Sequence, residues 1–146
     1  MRPLLGMKVT NERSLLERLA SPPAASFRKT GVDLQRLSDS IILHLRRMMN
    51  CRHGFTPAAP DYGLPDLNEC FFDFPDSITY LKQAIQTSVE KYEPRLSRVR
   101  VRYSEDPENP LEMKFEIQAR LETEEEAVTF AFTTKMGSAG GIQVIE

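Results

Sequence analysis

Two segments of the chain place apolar residues at the spacing of an amphipathic helix. In the segment 33–50 they fall at steps of three and four and form one stripe: Leu34, Leu37, Ile41, Leu45, Met48 and Met49. A second segment begins at Asp76 or Ser77, either of which can cap it, and Pro94 ends it, because a proline disfavours helical backbone in the residue before it. Its apolar face consists of Ile78, Leu81, Ile85, Val89 and Tyr92. The pattern therefore predicts two long helices.

After Pro94 the apolar residues alternate with polar ones, which is the period of a strand with one buried face. Three segments predict strands, at 99–103, 111–121 and 128–133, and the segment 140–146 is the candidate for a short fourth. The alternation from Leu111 to Leu121 is unbroken, so both ends of that segment are expected to face the core. Short turns between successive strands predict an antiparallel meander. The expected fold class is α+β, with two long helices packed on one face of a small, mainly antiparallel sheet of three to four strands.

The remaining chain comprises an N-terminal arm and the connection between the two long helices. Leu15, Leu16 and Leu19 predict a short helix, which the prolines at 22 and 23 would end and which has to dock on its own domain or on a partner. The connection 51–75 holds four prolines and two glycines and is expected to be irregular but ordered. Its aromatic residues are expected to pack on the domain: Phe55, Tyr62, Phe71, Phe72 and Phe74. We expect an arm at 1–30 and a single domain at 31–146.

Composition narrows the class of protein. With 146 residues and 40% hydrophobic content, the chain can bury one modest core. Its 19 basic and 21 acidic residues nearly cancel, so no net field attracts nucleic acid, and no nucleic-acid partner is expected. No apolar run approaches the roughly 20 residues of a membrane-spanning helix, so a cytoplasmic protein without direct membrane insertion is expected.

Three arginines alternate with apolar residues on the first predicted strand: Arg98, Arg100 and Arg102. Phosphate binding is one use for them, but no stacking aromatic residue shares their face, because Tyr103 is expected to face the core. If Tyr103 lies opposite Leu111, two of the arginines face acidic residues. Those pairs are Arg102 with Glu112 and Arg98 with Glu116. A solvated charged face or a protein contact is therefore the favoured interpretation.

The residues typical of metal or thiol chemistry are few: His44, Cys51, His53 and Cys70. Their spacing matches no zinc motif. A nucleophile and base at Cys51 and His53 would need a special loop and an oxyanion site that the sequence does not offer. No glycine-rich phosphate loop occurs either. We predict no catalytic, metal-binding or cofactor-binding residues, and no cofactor.

A rigid corner at Glu93, Pro94 and Arg95 separates the second long helix from the first strand. Pro94 restricts the backbone, so the two charged side chains leave the corner in set directions. They serve either to recognise a partner or to close the corner as an internal ion pair, and the same chemistry suits both. A general acid at Glu93, as in glycoside hydrolysis, is disfavoured because Arg95 stabilises the ionised carboxylate.

Three blocks in order resemble the TssE family of type VI secretion baseplate subunits, which is related to the baseplate wedge proteins of contractile phage tails. They are "SIILHLRRMMNCRHG" at 40–54, "PDYGLPDL" at 60–67 and "YEPRL" at 92–96. The resemblance extends from Ser14 to the last predicted strand. Cys51 departs from the pattern, in which a threonine or serine is expected.

The resemblance implies an assembly protein in a membrane-docked baseplate on the cytoplasmic side. It implies that Glu93, Pro94, Arg95 and Leu96 bind the wedge proteins TssF and TssG. It also implies that the sheet docks the first ring of the TssB–TssC sheath by strand exchange, and that TssK and the VgrG spike are further partners. Which strand forms the open edge is left undecided. Some phage relatives have been labelled lysozymes, so a peptidoglycan hydrolase is the alternative function.

Overall fold

A computed structural model describes residues 15–20, 34–122, 127–137 and 141–145. The helices are α1 (Leu15–Ala20), α2 (Leu34–Met49), α3 (Leu67–Phe72) and α4 (Ser77–Tyr92). The strands are β1 (Leu96–Ser104), β2 (Glu112–Glu122), β3 (Ala127–Gly137) and β4 (Ile142–Ile145). This arrangement confirms the predicted α+β fold with its two long helices. The predicted division into an arm at 1–30 and a domain at 31–146 stays a prediction, because most of the arm lies outside the described residues.

The sheet is an antiparallel meander in the order β1-β2-β3-β4. The predicted fourth strand is present, pairing Ile142 with Met136 and Ile145 with Thr133. Sequential strands joined by short turns favour this topology, since each new strand pairs with the one just completed. The sheet therefore has two edge strands, β1 and β4.

The core lies between one face of the sheet and the two long helices. Helix α2 supplies the predicted stripe, except that Leu34 is exposed, and α4 supplies Leu81, Ile85 and Val89. On the sheet side, Phe115 and Ile117 are fully buried. Helix α4 packs mainly on β1 and α2 packs on β4, so the helices cover the two margins of the sheet. The opposite face of the sheet carries the polar residues of each alternation.

The register between β1 and β2 differs from the predicted one. Tyr103 lies opposite Phe115, not Leu111, and Arg102 lies opposite Glu116, not Glu112. The reason is the turn 105–111, which Asp106 organises by accepting hydrogen bonds from the backbone N–H groups at 108 and 109. This turn takes Leu111 out of the strand and leaves it 76% exposed, so the expected burial of Leu111 is also wrong.

A bulge in β1 removes the other predicted charge pair. The register shifts between Ser97 and Arg100, and Arg98 adopts a positive φ of 53°. An extra residue in one strand lies opposite no single partner, so Arg98 does not face Glu116. The described residues form no salt bridge with the side chain of Arg98, Arg100 or Arg102. The three arginines are exposed, so a solvated charged face or a protein contact remains the favoured interpretation, but without the predicted pairs with acidic residues.

The connection between the long helices is more regular than expected. It contains α3, whose first turn is capped by Asp66, with its carboxylate accepting a hydrogen bond from the N–H of Asn68 at 3.0 Å. The expectation of a wholly irregular connection is wrong, because this cap directly follows a proline that ends the preceding turn. Tyr62 and Phe71 pack on the core as predicted. Three other aromatic residues of the connection do not and are exposed: Phe55, Phe72 and Phe74.

The start of α4 also differs in detail. The helix begins at Ser77, but the side chain of Asp76 makes no capping hydrogen bond. Instead, the hydroxyl of Ser77 is buried and donates to the carbonyl of Cys70 at 2.5 Å. Of the two residues predicted as possible caps, Asp76 occupies the N-cap position without a side-chain capping bond, and the Ser77 hydroxyl joins α4 to α3.

Replacing Phe115 with aspartate should unfold the domain, because a fully buried aromatic residue would become an unpaired buried charge. We expect a loss of more than about 4 kcal/mol in the free energy of unfolding, measured by urea denaturation. Leu111→Asp is the matched control, since the same change at an exposed turn residue should cost less than about 0.5 kcal/mol. A cooperative melt of the Phe115→Asp variant near the parent temperature would contradict this orientation of β2.

Candidate functional site at the Glu-Pro-Arg corner

The corner is formed where α4 ends and β1 begins. The N–H of Glu93 still donates to the carbonyl of Val89 at 2.9 Å, as in a helix, but the backbone of Glu93 is no longer helical (φ −119°, ψ 81°). Pro94 enforces this exit. The N–H of Leu96 then donates to the carbonyl of Glu93 at 3.1 Å and closes the turn into β1. The side chains of Glu93 and Arg95 consequently project from a tightly fixed backbone.

Glu93 and Arg95 form a two-pronged ion pair. Arg95 Nε donates to Glu93 Oε1 and Arg95 Nη2 donates to Glu93 Oε2, both at 2.7 Å. The Glu93 side chain is 1% exposed and that of Arg95 is 14% exposed. A parallel pair of charge-assisted hydrogen bonds fixes geometry as well as charge. Of the two uses left open for the corner, the internal ion pair is therefore present in the isolated chain.

Two side chains of α2 make further hydrogen bonds to this ion pair. His44 Nδ1 lies 2.8 Å from Glu93 Oε2, and Arg95 Nη1 donates to Ser40 Oγ at 2.9 Å. An ionised carboxylate only accepts hydrogen bonds, so Nδ1 is the protonated nitrogen of His44. On the far side of the ring, the hydroxyl of Tyr62 lies 3.5 Å from His44 Nε2. We call Ser40, His44, Tyr62, Glu93 and Arg95 the corner network.

Ser40 and His44 were not singled out as partners of Glu93 from the sequence. They lie four residues apart on α2, so they share one side of the helix. Both flank the apolar stripe, where a polar residue points toward the margin of the core. A polar i, i+4 pair beside a buried stripe is the signal that would have found them, although it does not reveal the partner.

The pKa of Glu93 reflects two opposing effects. Burial acts to raise the pKa, but the hydrogen bonds from Arg95 and His44 outweigh it and leave the pKa below its ordinary value of 4.5. Glu93 is therefore ionised at neutral pH despite its burial. A buried charge of this kind is stable only while its partners remain in place.

The block at 60–67 attaches the connection to α4 beside the corner. Asp61 pairs with Lys91 and accepts a hydrogen bond from the hydroxyl of Tyr92 at 2.6 Å, and these bonds lower the pKa of Asp61 to about 2. Gly63 has a φ of 99°, and a Cβ there would lie 2.2 Å from the carbonyl oxygen of Cys51. That close approach requires glycine. The block thereby holds Tyr62 in its place in the corner network, beside His44.

Helix α1 reaches the same corner from the other side. Ser40 Oγ, which accepts from Arg95, donates to Glu17 Oε2 at 2.7 Å. Leu16 and Leu19 are exposed in this arrangement. The short helix thus contacts its own domain through a polar group, and two of the leucines that predicted it remain on the surface.

The residues considered for metal or thiol chemistry have other surroundings in the structure. His44 belongs to the corner network. His53 Nε2 lies 3.0 Å from the carbonyl of Gly63, and Cys70 is buried, which raises the pKa of its thiol. Within the described ranges there is no group of three or more histidine, cysteine or acidic side chains suited to a metal ion. No helix in the described part of the chain is long and apolar enough to cross a membrane.

The segment that contains the whole corner also carries the family relationship. Residues 35–126 match the family model described as baseplate wedge protein gp25, and this range spans α2, the connection, α4, the corner and the first two strands. The chain belongs to the gp25 baseplate wedge family. A search of the curated proteins gave no match to this chain.

A solved structure shares the fold of this gp25 family member. It is a chain of "the baseplate complex from the type VI secretion system", with a TM-score of 0.59 and 21% sequence identity. The match covers 77% of this chain and 96% of the other. The relationship at this level of identity concerns the fold, and nearly the whole of the solved chain takes part in it.

The four predicted partner-binding residues differ in how far they reach the surface. Glu93 and Leu96 are buried, Pro94 is exposed, and Arg95 keeps only the small exposed fraction given above. Binding of a partner through these four residues stays a prediction. In this conformation Pro94 and the outer part of Arg95 are the parts of the four residues that reach the surface.

Replacing Glu93 with glutamine should destabilise the domain by about 3 kcal/mol at pH 7, because Arg95 would lose its buried counter-charge. The folded-state pKa of Glu93 is lowered, so its contribution is complete above the unfolded value of 4.5 and is lost as the pH falls through the folded value. The difference in unfolding free energy between parent and variant should accordingly shrink below about pH 4.

Urea denaturation at several pH values checks this prediction. Glu90→Gln is the matched control, since Glu90 is an exposed residue one turn earlier in the same helix. Its unfolding free energy should change by less than about 0.5 kcal/mol. A pH-independent difference for Glu93→Gln would mean that the charge of Glu93 is not what stabilises the corner.

Proposed function

We propose that this chain is a structural subunit of the baseplate of a type VI secretion machine. In this role it joins the wedge proteins TssF and TssG and docks the first ring of the TssB–TssC sheath. The observation that carries the proposal is the fold shared with a chain of a type VI baseplate complex, over 96% of that chain, in a member of the gp25 wedge family. Contacts with TssK and the VgrG spike, and a place in the membrane-docked baseplate, belong to the same proposal.

The corner network supports a wedge contact at Pro94 and Arg95. Both residues sit on a backbone fixed by the turn between α4 and β1, and Arg95 is held by three side-chain hydrogen bonds. Pro94 and Arg95 lose little further side-chain or backbone freedom when a partner binds them, so more of the contact energy appears as affinity. In this proposal Glu93 and Leu96 position the contact residues instead of touching the partner.

The sheet supports the sheath contact. It is a four-stranded antiparallel sheet with its helices on one face, so the described residues leave its polar face and at least one strand edge uncovered. Edge strands are the usual sites at which an extended segment of a partner adds to a sheet. The strands proposed to dock the sheath are β1, β2 and β3, which contain the three segments predicted from the sequence.

The hydrolase alternative has little support from the corner. A general acid needs a raised pKa and a free oxygen directed at the substrate. Glu93 has a lowered pKa, and its two carboxylate oxygens accept hydrogen bonds from Arg95 and His44. We therefore propose a protein that assembles with others and does not use Glu93 as a catalyst.

Capture of TssF and TssG by this chain from cells that co-express them tests the wedge contact. Pro94→Ala should lower capture about tenfold, because it removes an exposed contact and the rigidity behind it, while costing the isolated domain less than about 1 kcal/mol. Pro107→Ala is the matched control, as Pro107 is an exposed proline in the turn between β1 and β2. Capture equal to that of the parent would contradict a contact at the corner.

A peptidoglycan-release assay on the same material separates the two functions. The parent should release no more peptidoglycan than buffer, because no catalytic role is proposed for it. Release that Glu93→Gln abolishes in a still-folded protein, together with no capture of the wedge proteins, would favour the hydrolase.

A further inference from the structure

The two edges of the sheet differ, and the edge at β4 is occupied by the side chains of Arg46 in α2 and of Asn50 just after it. Asn50 Oδ1 accepts from the N–H of Ile142 at 2.9 Å, and Asn50 Nδ2 donates to the carbonyl of Ile142 at 3.0 Å. Arg46 Nη2 donates to the carbonyl of Val144 at 3.2 Å. The amide of Asn50 thus bonds Ile142 as a neighbouring strand would. The outer side of β4 is closed at these positions.

The same bonds fix which backbone groups point outward at the other edge. Since both groups of Ile142 point away from β3, its pair with Met136 is a non-hydrogen-bonded one. The groups of Met136 then point toward β2, and by alternation so do those of every second residue of β3. Thr134 and Phe132 belong to this set, and their partners on β2 are Phe115 and Ile117. The N–H and C=O groups of Phe115 and Ile117 therefore bond β3 and not β1.

It follows that Tyr103 and Val101, the partners of Phe115 and Ile117 on β1, direct their N–H and C=O groups outward. Leu96 lies opposite Leu121, which by the same alternation bonds β3, so the backbone groups of Leu96 should also point outward. Its N–H does leave the sheet, and it donates to the carbonyl of Glu93. The hydroxyl of Thr134 bonding the carbonyl of Phe115 is also consistent.

The edge at β1 is open where β4 is closed. The described residues supply no hydrogen-bond partner to the outward groups of Val101 and Tyr103. On the solvent face the flanking residues are Arg100 and Arg102, both exposed, and the described part of the chain forms no salt bridge with either. The open edge thus presents four backbone groups, those of Val101 and Tyr103, in alternation with the guanidinium groups of Arg100 and Arg102.

We propose that the β1 edge binds an antiparallel strand of another protein in which acidic and apolar residues alternate. The apolar residues would lie opposite Val101 and Tyr103, in hydrogen-bonded pairs. The acidic residues would lie opposite Arg100 and Arg102, in the non-hydrogen-bonded pairs where side chains approach most closely. The proposal deepens the sheath-docking role and rests on it for the identity of the partner, but the properties of the edge are independent of that role.

Charge favours this partner over a second copy of β1 and over the N-terminal arm of the same protein. Pairing two copies through β1 would place arginines opposite arginines, and like charges in directly opposed positions destabilise a sheet. The arm segments 1–14 and 21–33 each hold more basic than acidic residues and are equally unsuited. An acidic strand from a different protein is the occupant that complements the edge.

Residue-resolved amide hydrogen exchange of the isolated protein tests the difference between the edges. The amides of Val101 and Tyr103 should exchange at least about tenfold faster than those of Arg100 and Arg102, which bond β2. The amide of Ile142 should be protected in the parent and should lose about tenfold of its protection in Asn50→Ala. Protection of Val101 and Tyr103 in the free protein would overturn the open edge.

A peptide of about seven alternating glutamate and valine residues, at about 1 mM, tests the partner chemistry. It should slow exchange at Val101 and Tyr103 by about tenfold, leave Ile142 unchanged, and lose its effect on Arg102→Glu. Lys114→Glu is the matched control on the neighbouring strand and should retain the effect. A peptide with lysine in place of glutamate should have none.

Three results would overturn the proposal: equal protection by the lysine peptide, protection at β4 instead of β1, or no protection by the glutamate peptide. Each is separable from failure of the baseplate role. Loss of wedge capture in the parent, with protection at Val101 and Tyr103 intact, would refute the baseplate assignment and leave the acidic-strand site standing.

Discussion

The arrangement of the molecule depends on keeping one buried carboxylate ionised. Glu93 is almost fully enclosed, yet it is held charged by Arg95 from the next turn of chain and by His44 from a helix 49 residues earlier. A charge removed from water is costly unless every partner is in place. The ion pair therefore requires the end of α4, the start of β1 and the middle of α2 to meet at one point. Its hydrogen bonds are directional, so they constrain how these three segments meet.

The sheet extends that constraint to the far side of the domain. From the corner, β1 leads into a meander whose last strand returns to α2, so this helix contacts the corner just before β1 through His44 and contacts β4 through Arg46. One helix thus supports the first and the last elements of the β half. Contacts between segments so distant in sequence are of the kind associated with slow folding, and they make the two halves interdependent.

Periodicity was enough to predict both long helices, the meander and the fourth strand, because burial on one face imposes a period that local residues reveal. The register of β1 and β2 was not predictable in the same way. It depends on a turn organised by Asp106 and on a bulge at Arg98, neither of which changes the alternation of apolar residues. Helix α3 was missed because a short capped turn is hidden among prolines. The sequence identified Glu93 and Arg95, but their pairing with Ser40 and His44 is a long-range contact with no periodic signal.

The side chain of Asn50 has a consequence for how the protein behaves at high concentration. Sheet proteins aggregate when an edge of one copy can pair with an edge of the next. Here any pairing through β4 meets a backbone already bonded by Asn50 and Arg46, which would have to give up those bonds first. Adding a strand at β4 therefore costs those bonds, whereas an edge with unbonded backbone groups has none to lose. Asn50 and Arg46 thereby oppose the growth of fibres in which copies pair through β4.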